Sequence, residues 1–258
     1  MRRSTLYIIG FATAVCLVCS VIVSSAAVAL KDRQEANKVL DRQKKVLGVA
    51  GLIEEGSPPP AAEIQQLFEQ RIKAQVVTLK TGDYAADVDA AGFDQRKMRN
   101  DPATSIAAPS NDAKVLRVPN QGLVYQLMDG DKVALLILPV EGKGLWSTLY
   151  GFLALEPDGN TVKGITFYEH AETPGLGGEV DNPRWKALWP GRKITDAKGE
   201  LAIEVVKGQA GPVDAAPNKV DGLSGATITS RGVTYLLRFW LGENGWGPYL
   251  AKFKTKGA

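Results

Sequence analysis

The 258-residue sequence has only two cysteines and one histidine, and this scarcity excludes several kinds of site. Cys16 and Cys19 both lie in the apolar N-terminal segment, and the single histidine is His170. The rest of the sequence therefore cannot assemble a Cys/His zinc site. Because no paired nucleophile motif accompanies His170, we expect it to have a structural role, or a role at the edge of a pocket. The two cysteines are interpreted as small packing residues.

The sequence also lacks a strong charge of either sign and a dinucleotide fingerprint. The formal net charge is +3, with acidic and basic residues evenly mixed, and no aromatic-and-basic RNA motif is present. Nucleic acid is therefore not an expected partner. The absence of a Gly-x-Gly-x-x-Gly pattern argues against a Rossmann dinucleotide site. With 45% hydrophobic residues, the chain can bury one substantial core beside its apolar N-terminal segment.

The longest uncharged run, Leu6 to Leu30, predicts a transmembrane helix. At 1.5 Å per residue it would extend roughly 37 Å, enough to cross a hydrocarbon core of about 30 Å. A secretory signal peptide is the alternative, since Arg2 and Arg3 precede the run and residues 27–29 resemble a cleavage site. The run is longer than a signal peptide needs, so we expect residues 1–30 to be retained as an anchor. Its small residues recur at every fourth position, a pattern typical of packing against other membrane helices: Ala12, Cys16, Ser20 and Ser24.

The residues after the apolar run predict a charged helix and then a break. A polar helix is expected from Lys31 to about Leu47, and residues 48–60 include three consecutive prolines. We therefore expect residues 31–60 to form a polar helix and a Pro-rich linker, followed by one domain over residues 61–258.

The hydrophobic pattern of residues 61–258 predicts an α+β fold. Residues 61–74 predict a helix, a β-branched strand follows from Val76, and residues 82–111 are polar and loop-rich, without a motif. Residues 182–189 predict a short helix, and a final helix begins near Thr227. Five further segments predict strands of a mostly antiparallel sheet flanked by helices: Gly122 to Leu127, Lys132 to Pro139, Leu149 to Leu155, Thr161 to Tyr168 and Leu201 to Val206.

The most specific pattern in the chain is the seven-residue segment from Asp221 to Thr227, with the sequence Asp-Gly-Leu-Ser-Gly-Ala-Thr. It matches Asp-x-x-Ser/Thr-Gly-Ala-Thr/Ser, in which a flavin transferase links the phosphate of FMN to the last hydroxyl. Thr227 would be the acceptor, and the small residues Ser224, Gly225 and Ala226 would let the modifying enzyme approach.

The position of this motif at the start of a predicted helix has two interpretations. Thr227, Thr229 and Ser230 fall where side-chain oxygens cap free amides and where the helix dipole favours an anion such as a phosphate. The alternative is an ordinary Ser/Thr-rich helix cap that follows a glycine turn.

With this motif the chain resembles the C subunit of the sodium-translocating NADH:quinone oxidoreductase, and more distantly the FMN-bearing G subunit of the ferredoxin:NAD oxidoreductase. Residues 34–40, 144–147 and 170–177 carry the same resemblance, which covers nearly the whole chain. It implies a membrane-anchored electron carrier with covalent FMN, with other membrane subunits of the complex as partners and a flavin transferase for maturation. No substrate site of its own is identified. A non-redox anchored binding module, in which the motif only caps a helix, remains an alternative.

The resemblance carries four residues over as pocket residues: Glu172, Thr173, Leu176 and Gly177. Trp146 offers flat apolar cover for an isoalloxazine ring and Ser147 a hydrogen-bonding group, although a tryptophan is more often a core residue. Lys207 follows a predicted strand, and its charge would stabilise negative charge on a reduced flavin. A solvated lysine is the ordinary alternative.

The charges around the anchor and the resemblance predict opposite orientations. Arg2 and Arg3 precede the apolar run, whereas six basic residues follow it between Lys31 and Lys45. Counting Lys and Arg alone would leave the C-terminal domain in the cytoplasm. The resemblance implies a bacterial inner-membrane protein with its flavin domain in the periplasm, and we follow the resemblance.

Overall fold

The structure is a computed structural model that describes residues 4–54 and 56–256. The chain divides into two compact units, residues 1–42 and 43–258. Arg2 and Arg3, on which part of the predicted orientation rests, lie outside the described residues.

The first helix, α1, spans Thr5–Val49 and continues through both the apolar run and the charged segment after it. The predicted polar helix to about Leu47 is therefore confirmed. No proline interrupts these residues, so the helix runs on from the apolar segment. A window of α1 reaches a mean hydropathy of 2.6, so the helix is long and apolar enough to cross a membrane. Cys16 and Cys19 are exposed on it and are not disulfide-bonded. In the second unit, the last turns of α1 bury Val46 and Leu47.

The second unit is built on a six-stranded sheet in the order β2-β1-β5-β6-β7-β8, in which every neighbouring pair is antiparallel. The predicted α+β fold with a mostly antiparallel sheet is thus confirmed. β3 and β4 form a separate antiparallel pair, and β9 and β10 a short parallel pair. The strands are β1 Ile72–Thr78, β2 Asp83–Tyr84, β3 Ser105–Ala107, β4 Arg117–Pro119, β5 Gln121–Asp129, β6 Lys132–Lys143, β7 Thr148–Leu155, β8 Val162–Glu169, β9 Glu204–Val205 and β10 Lys219–Val220.

Helices cover this sheet, and α5 is the one that positions the motif. One face of α5 is buried, with Val233, Leu236 and Trp240 fully inaccessible. A Cβ on Gly142 of β6 would lie 2.5 Å from the Cβ of Leu236, so the glycine lets α5 approach the sheet closely. The helices after α1 are α2 Ala61–Arg71, α3 Gln95–Asn100, α4 Pro183–Lys186, α5 Thr227–Leu241 and α6 Gly247–Lys256, and a 3-10 helix spans Gly177–Asp181.

Two predicted boundaries are wrong because strand pairing decides them. The helix α2 ends at Arg71 rather than at residue 74, since Ile72 already pairs with Leu127 of β5. The predicted strand Leu201 to Val206 is reduced to β9, which pairs with the two-residue β10. Local propensity does not report which residues find a partner.

Two of the α-helices, α3 and α6, were not predicted. The chain continues beyond α5 into α6, so the helix beginning at Thr227 is not the last one. Residues 82–111, interpreted as loop-rich, contain the short helix α3. Its Arg96 forms a two-bond ion pair with Glu169, and its Arg99 contacts the buried Glu141 at 2.6 Å. These pairs tie the polar segment to the sheet.

Candidate functional site

Thr227 is the first residue of α5, and its side chain is exposed. Gly225, two residues earlier, has a φ of +71°, a left-handed conformation that a glycine adopts without strain. A Cβ at Gly225 would also lie 2.9 Å from the Cδ2 atom of Leu176. The turn therefore requires glycine at position 225, which lies against Leu176, and it leaves Thr227 exposed to solvent.

The predicted side-chain cap of this helix is wrong. The N-cap residue is Ala226, and no side chain of the described residues accepts a hydrogen bond from the first-turn amides. Thr229 instead donates its hydroxyl to Glu172 at 2.7 Å, and the Ser230 hydroxyl accepts from the Leu223 amide at 3.0 Å. Because these oxygens are used elsewhere, the amides at the start of α5 are left for another acceptor.

A cleft of about 370 Å³ opens beside Thr227, between α5 and the segment that follows β9. This volume lies within the range of about 300–1,000 Å³ that is usual for small-molecule sites. Lys207 lines the cleft and is exposed. We call it the Thr227 cleft; its lining is Glu204, Val205, Val206, Lys207, Gly208, Gly222, Leu223, Thr227, Ser230, Arg231, Thr234, Tyr235 and Arg238.

Asp221 and Gly222, two residues of the motif for which no role was predicted, hold the wall of the cleft opposite α5. The carboxylate of Asp221 accepts a hydrogen bond from the Ala210 amide at 2.8 Å, and its carbonyl accepts from the Trp185 indole at 2.9 Å. A Cβ on Gly222 would lie 2.2 Å from the carbonyl oxygen of Val206. Asp221 and Gly222 thus hold the segment that carries Lys207. Asp221 is a fixed position of the pattern, and that requirement for aspartate could have predicted its structural role.

A second group of residues surrounds Glu172, which is only 5% exposed. Its Oε1 atom accepts from the amides of Trp146 at 2.9 Å and Ser147 at 3.1 Å, and from the Ser147 hydroxyl at 3.4 Å. Its Oε2 atom accepts from the Leu145 amide at 3.2 Å and from Thr229. We call these five residues the Glu172 cluster.

The Glu172 cluster is closely packed, and its hydrogen bonds stabilise the negative charge of the carboxylate. A Cβ on Gly144 would lie 2.6 Å from Oε1, and one on Gly177 would lie 2.6 Å from Oε2, so both positions need glycine. Burial raises the pKa of Glu172, but the hydrogen bonds from Thr229 and from the three amides outweigh it, so the pKa lies below its ordinary value. The ionised carboxylate links the loop before β7 to the first turn of α5.

Trp146 and Leu176 both present apolar surface to solvent. Trp146 is 66% exposed, so it is not a core residue, and its carbonyl accepts a hydrogen bond from the Lys143 ammonium at 2.9 Å. Leu176 is 44% exposed. The carbonyl of Thr173 accepts from the amides of Leu176 and Gly178, which gives the glycine-rich loop a fixed shape.

His170 has a structural role. Its Nε2 atom lies 2.8 Å from a carboxylate oxygen of Asp181, and its Nδ1 atom accepts from the Glu172 amide at 3.2 Å. Within residues 4–54 and 56–256, no group of His, Cys, Asp and Glu side chains forms a metal site.

These residues fit an FMN bound through its phosphate. Uncapped helix amides suit a phosphate, the Thr227 cleft adds the positive charge of Lys207, and the exposed Trp146 and Leu176 offer apolar surface for a planar ring. Residues 144–242 match the family model of the FMN-binding domain. The chain is therefore an FMN-binding protein, and the match includes the Glu172 cluster and Thr227.

The wider comparison identifies the family. The chain is 51% identical over 251 residues to the C subunit of the Na(+)-translocating NADH-quinone reductase of Vibrio vulnificus, covering 96% of this chain and 95% of the relative. The C subunit from Pseudomonas aeruginosa is 49% identical, covering 98% and 97%. The crystal structure of Shewanella oneidensis NqrC matches with a TM-score of 0.78 and 36% identity, covering 85% of this chain and 99% of that one. The chain belongs to the family of C subunits of the Na(+)-translocating NADH-quinone reductase.

The family confirms the resemblance predicted from the sequence. The chain is an FMN subunit of a sodium-translocating oxidoreductase, and the other subunits of that complex are its partners. This assignment decides against the ferredoxin:NAD G subunit and against a module without a redox cofactor.

Proposed function

We propose that this chain is an electron-transfer subunit that carries FMN as a phosphoester on Thr227 and is held in the bacterial inner membrane by α1. The observation that carries the proposal is the complete attachment motif, which ends on an exposed hydroxyl at the uncapped start of α5 and beside a cleft. In this organisation residues 1–30 are the anchor, residues 31–60 connect it to the domain, and residues 61–258 bind the cofactor.

Attachment requires a flavin transferase and a donor in which the FMN phosphate is already activated, such as a flavin dinucleotide. The Thr227 oxygen forms a bond to that phosphorus while the pyrophosphate bond breaks and the nucleoside monophosphate leaves. The hydroxyl proton is lost to a base of the transferase. Ser224, Gly225 and Ala226 leave room for that enzyme because their side chains are small or absent.

The residues around Thr227 then take distinct roles. The first-turn amides, including that of Thr229, bind the phosphate, and Lys207 supplies positive charge from the opposite wall of the Thr227 cleft. Bound FMN accepts and releases electrons, and the protein sets its potential through the surroundings. Three further residues line the pocket in this proposal: Trp146 and Leu176 as apolar cover, and Thr173 at the edge of the loop.

The remaining pocket residues act through the shape of the site. Glu172 fixes the Trp146 loop against α5, and Ser147 supports that loop by donating to Glu172 and accepting from the Ala171 amide at 2.8 Å. Gly177 leaves the space that the Glu172 carboxylate fills. In this way Glu172, Ser147 and Gly177 hold Trp146, the apolar cover, in place.

The location of the domain completes the proposal. The apolar part of α1 crosses the membrane once, and its small-residue face packs against neighbouring subunits. The flavin domain lies in the periplasm, although the basic residues after Leu30 would favour the cytoplasm. A covalent link prevents loss of the cofactor on the side of the membrane where free FMN is scarce.

The intact mass of the purified chain tests the attachment. Produced with the flavin transferase, the parent chain and Thr227→Ser gain the mass of one FMN residue, whereas Thr227→Val does not, because only the first two keep a hydroxyl. Thr229→Ser serves as a control, since its hydroxyl is buried on the opposite side of the turn. An unmodified parent chain, or a modified Thr227→Val chain, would refute the site.

A further inference from the structure

The Thr227 cleft contains more positive charge than the protein itself neutralises. Its charged residues are Lys207, Arg231, Arg238 and Glu204. The carboxylate of Glu204 is already paired with two cations, the Arg238 guanidinium at 3.2 Å and the Lys219 ammonium at 3.8 Å, so it is not available to Lys207 or Arg231. Lys207 and Arg231 are exposed and make no ion pair with any residue in the described ranges. Two cations therefore face one cleft without a counter-ion.

The position of Arg231 on α5 directs it toward the attachment residue. It follows Thr227 by four residues, a spacing that puts both side chains on one face of the helix. Side chains on a helix tilt toward its N-terminus, so a long arginine covers the turn before its own Cα. Both residues line the same cleft, which agrees with this placement, while Lys207 lines it from outside the helix.

We propose that Arg231 is a binding residue for the anionic part of the cofactor, so that Arg231 and Lys207 together neutralise the phosphate on Thr227 and the negative charge that reduction adds to the flavin. This inference rests on the covalent attachment proposed above. The guanidinium suits the task because its planar set of donors can hold two phosphate oxygens at once. The phosphodiester carries one negative charge, and a reduced flavin can carry a second, which matches the two uncompensated cations.

This arrangement has a measurable consequence for the redox equilibrium. A cation beside the cofactor stabilises the reduced form, which is more negative than the oxidised form, and so raises the midpoint potential. Removing the charge of Arg231 should shift the equilibrium toward the oxidised form by up to about tenfold, which is about 30 mV for a two-electron couple. The shift should be largest at low ionic strength, where screening is weakest.

The test is a redox titration of the full chain in detergent, produced with the flavin transferase. Arg231→Gln should lower the midpoint potential, whereas Arg231→Lys should keep it near the parent value because the charge remains. Arg71→Gln is the matched control, since Arg71 ends α2 and does not line the cleft. The mass of each chain is measured first, so that attachment and potential are scored separately.

Each outcome decides the inference. A flavin-loaded Arg231→Gln chain with the parent potential, or a shift equal to that of Arg71→Gln, would overturn it and leave the attachment proposal intact. Loss of attachment in Arg231→Gln but not in Arg231→Lys would support it, because the charge would then be needed when the flavin phosphate binds. Loss in both variants would overturn a role for charge. A parent chain without flavin would overturn the attachment proposal and this inference together.

Discussion

Thr227 and Thr229 lie two residues apart in the first turn of α5 and have opposite surroundings. Thr229 is fully buried and donates its hydroxyl to Glu172, whereas Thr227 is exposed and its hydroxyl has no hydrogen-bond partner among the described residues. Two helical residues at this spacing are about 200° apart around the axis, so one faces the Glu172 cluster and the other faces away from it. One short segment thus serves the structure on one side and the proposed cofactor on the other.

The two sides differ in how completely their polar groups are used. The Glu172 carboxylate accepts from five donors, about as many as its lone pairs can serve, so it has no capacity left for a ligand. The Thr227 cleft keeps free donors and uncompensated positive charge. The Glu172 carboxylate, whose acceptor positions are all used, stabilises the fold. The Thr227 cleft, whose donors are free, can bind an anion. Variants on the two sides should therefore change different quantities.

Glu172→Ala is expected to give the largest loss of stability. It removes the acceptor of three amides and two hydroxyls. Each unsatisfied buried donor costs about 1–3 kcal/mol, so the unfolding free energy should fall by about 3 kcal/mol or more. Urea unfolding of the full chain in detergent measures it, with the exposed Glu200→Ala as control. A loss below about 1 kcal/mol would show that the Glu172 cluster does not fix the loop.

Gly177→Ala should give the second largest loss. The added Cβ would lie 2.6 Å from both Glu172 Oε2 and Thr229 Oγ1, so one of the two must move. Overpacking of this kind costs about 1–3 kcal/mol. Gly175→Ala is a useful comparison, because no atom lies within 4 Å of its Cβ position and only its φ of +74° is strained. Thermal unfolding should rank the Gly177 variant below the Gly175 variant.

The exposed side, around Thr227, could be predicted from the sequence alone, whereas the buried side, around Glu172, could not. The pattern around Thr227 depends on consecutive residues, so the motif, the glycine turn and the start of α5 could all be predicted. The Glu172 cluster joins residues more than 50 positions apart, such as Glu172 and Thr229. The resemblance indicated Glu172 as a pocket residue, but no local pattern predicted its contact with Thr229. The same reason explains why α2 was extended into β1, since the pairing of Ile72 with Leu127 is not local.

The pH dependence of stability should give a smaller, third effect. The folded pKa of Glu172 lies below its ordinary value, so its ionised form contributes stability above that ordinary value, and the contribution is lost as the pH falls through the lowered pKa. Glu172→Gln cannot ionise, so the stability difference between it and the parent should shrink in acid. Unfolding curves at several pH values measure this, and a difference that stays constant would contradict a lowered pKa for Glu172.

Trp146→Ala should have the smallest effect on stability and still change the bound cofactor. Trp146 is 66% exposed, so its truncation should change the unfolding free energy by no more than about 0.5 kcal/mol. If its ring covers the flavin, the midpoint potential and the quenching of flavin fluorescence should both change, and Trp146→Phe should keep part of each. An unchanged potential would remove Trp146 from the pocket. A stability loss above about 1 kcal/mol would instead show that the Trp146 side chain stabilises the fold and belongs to the rigid side rather than to the binding side.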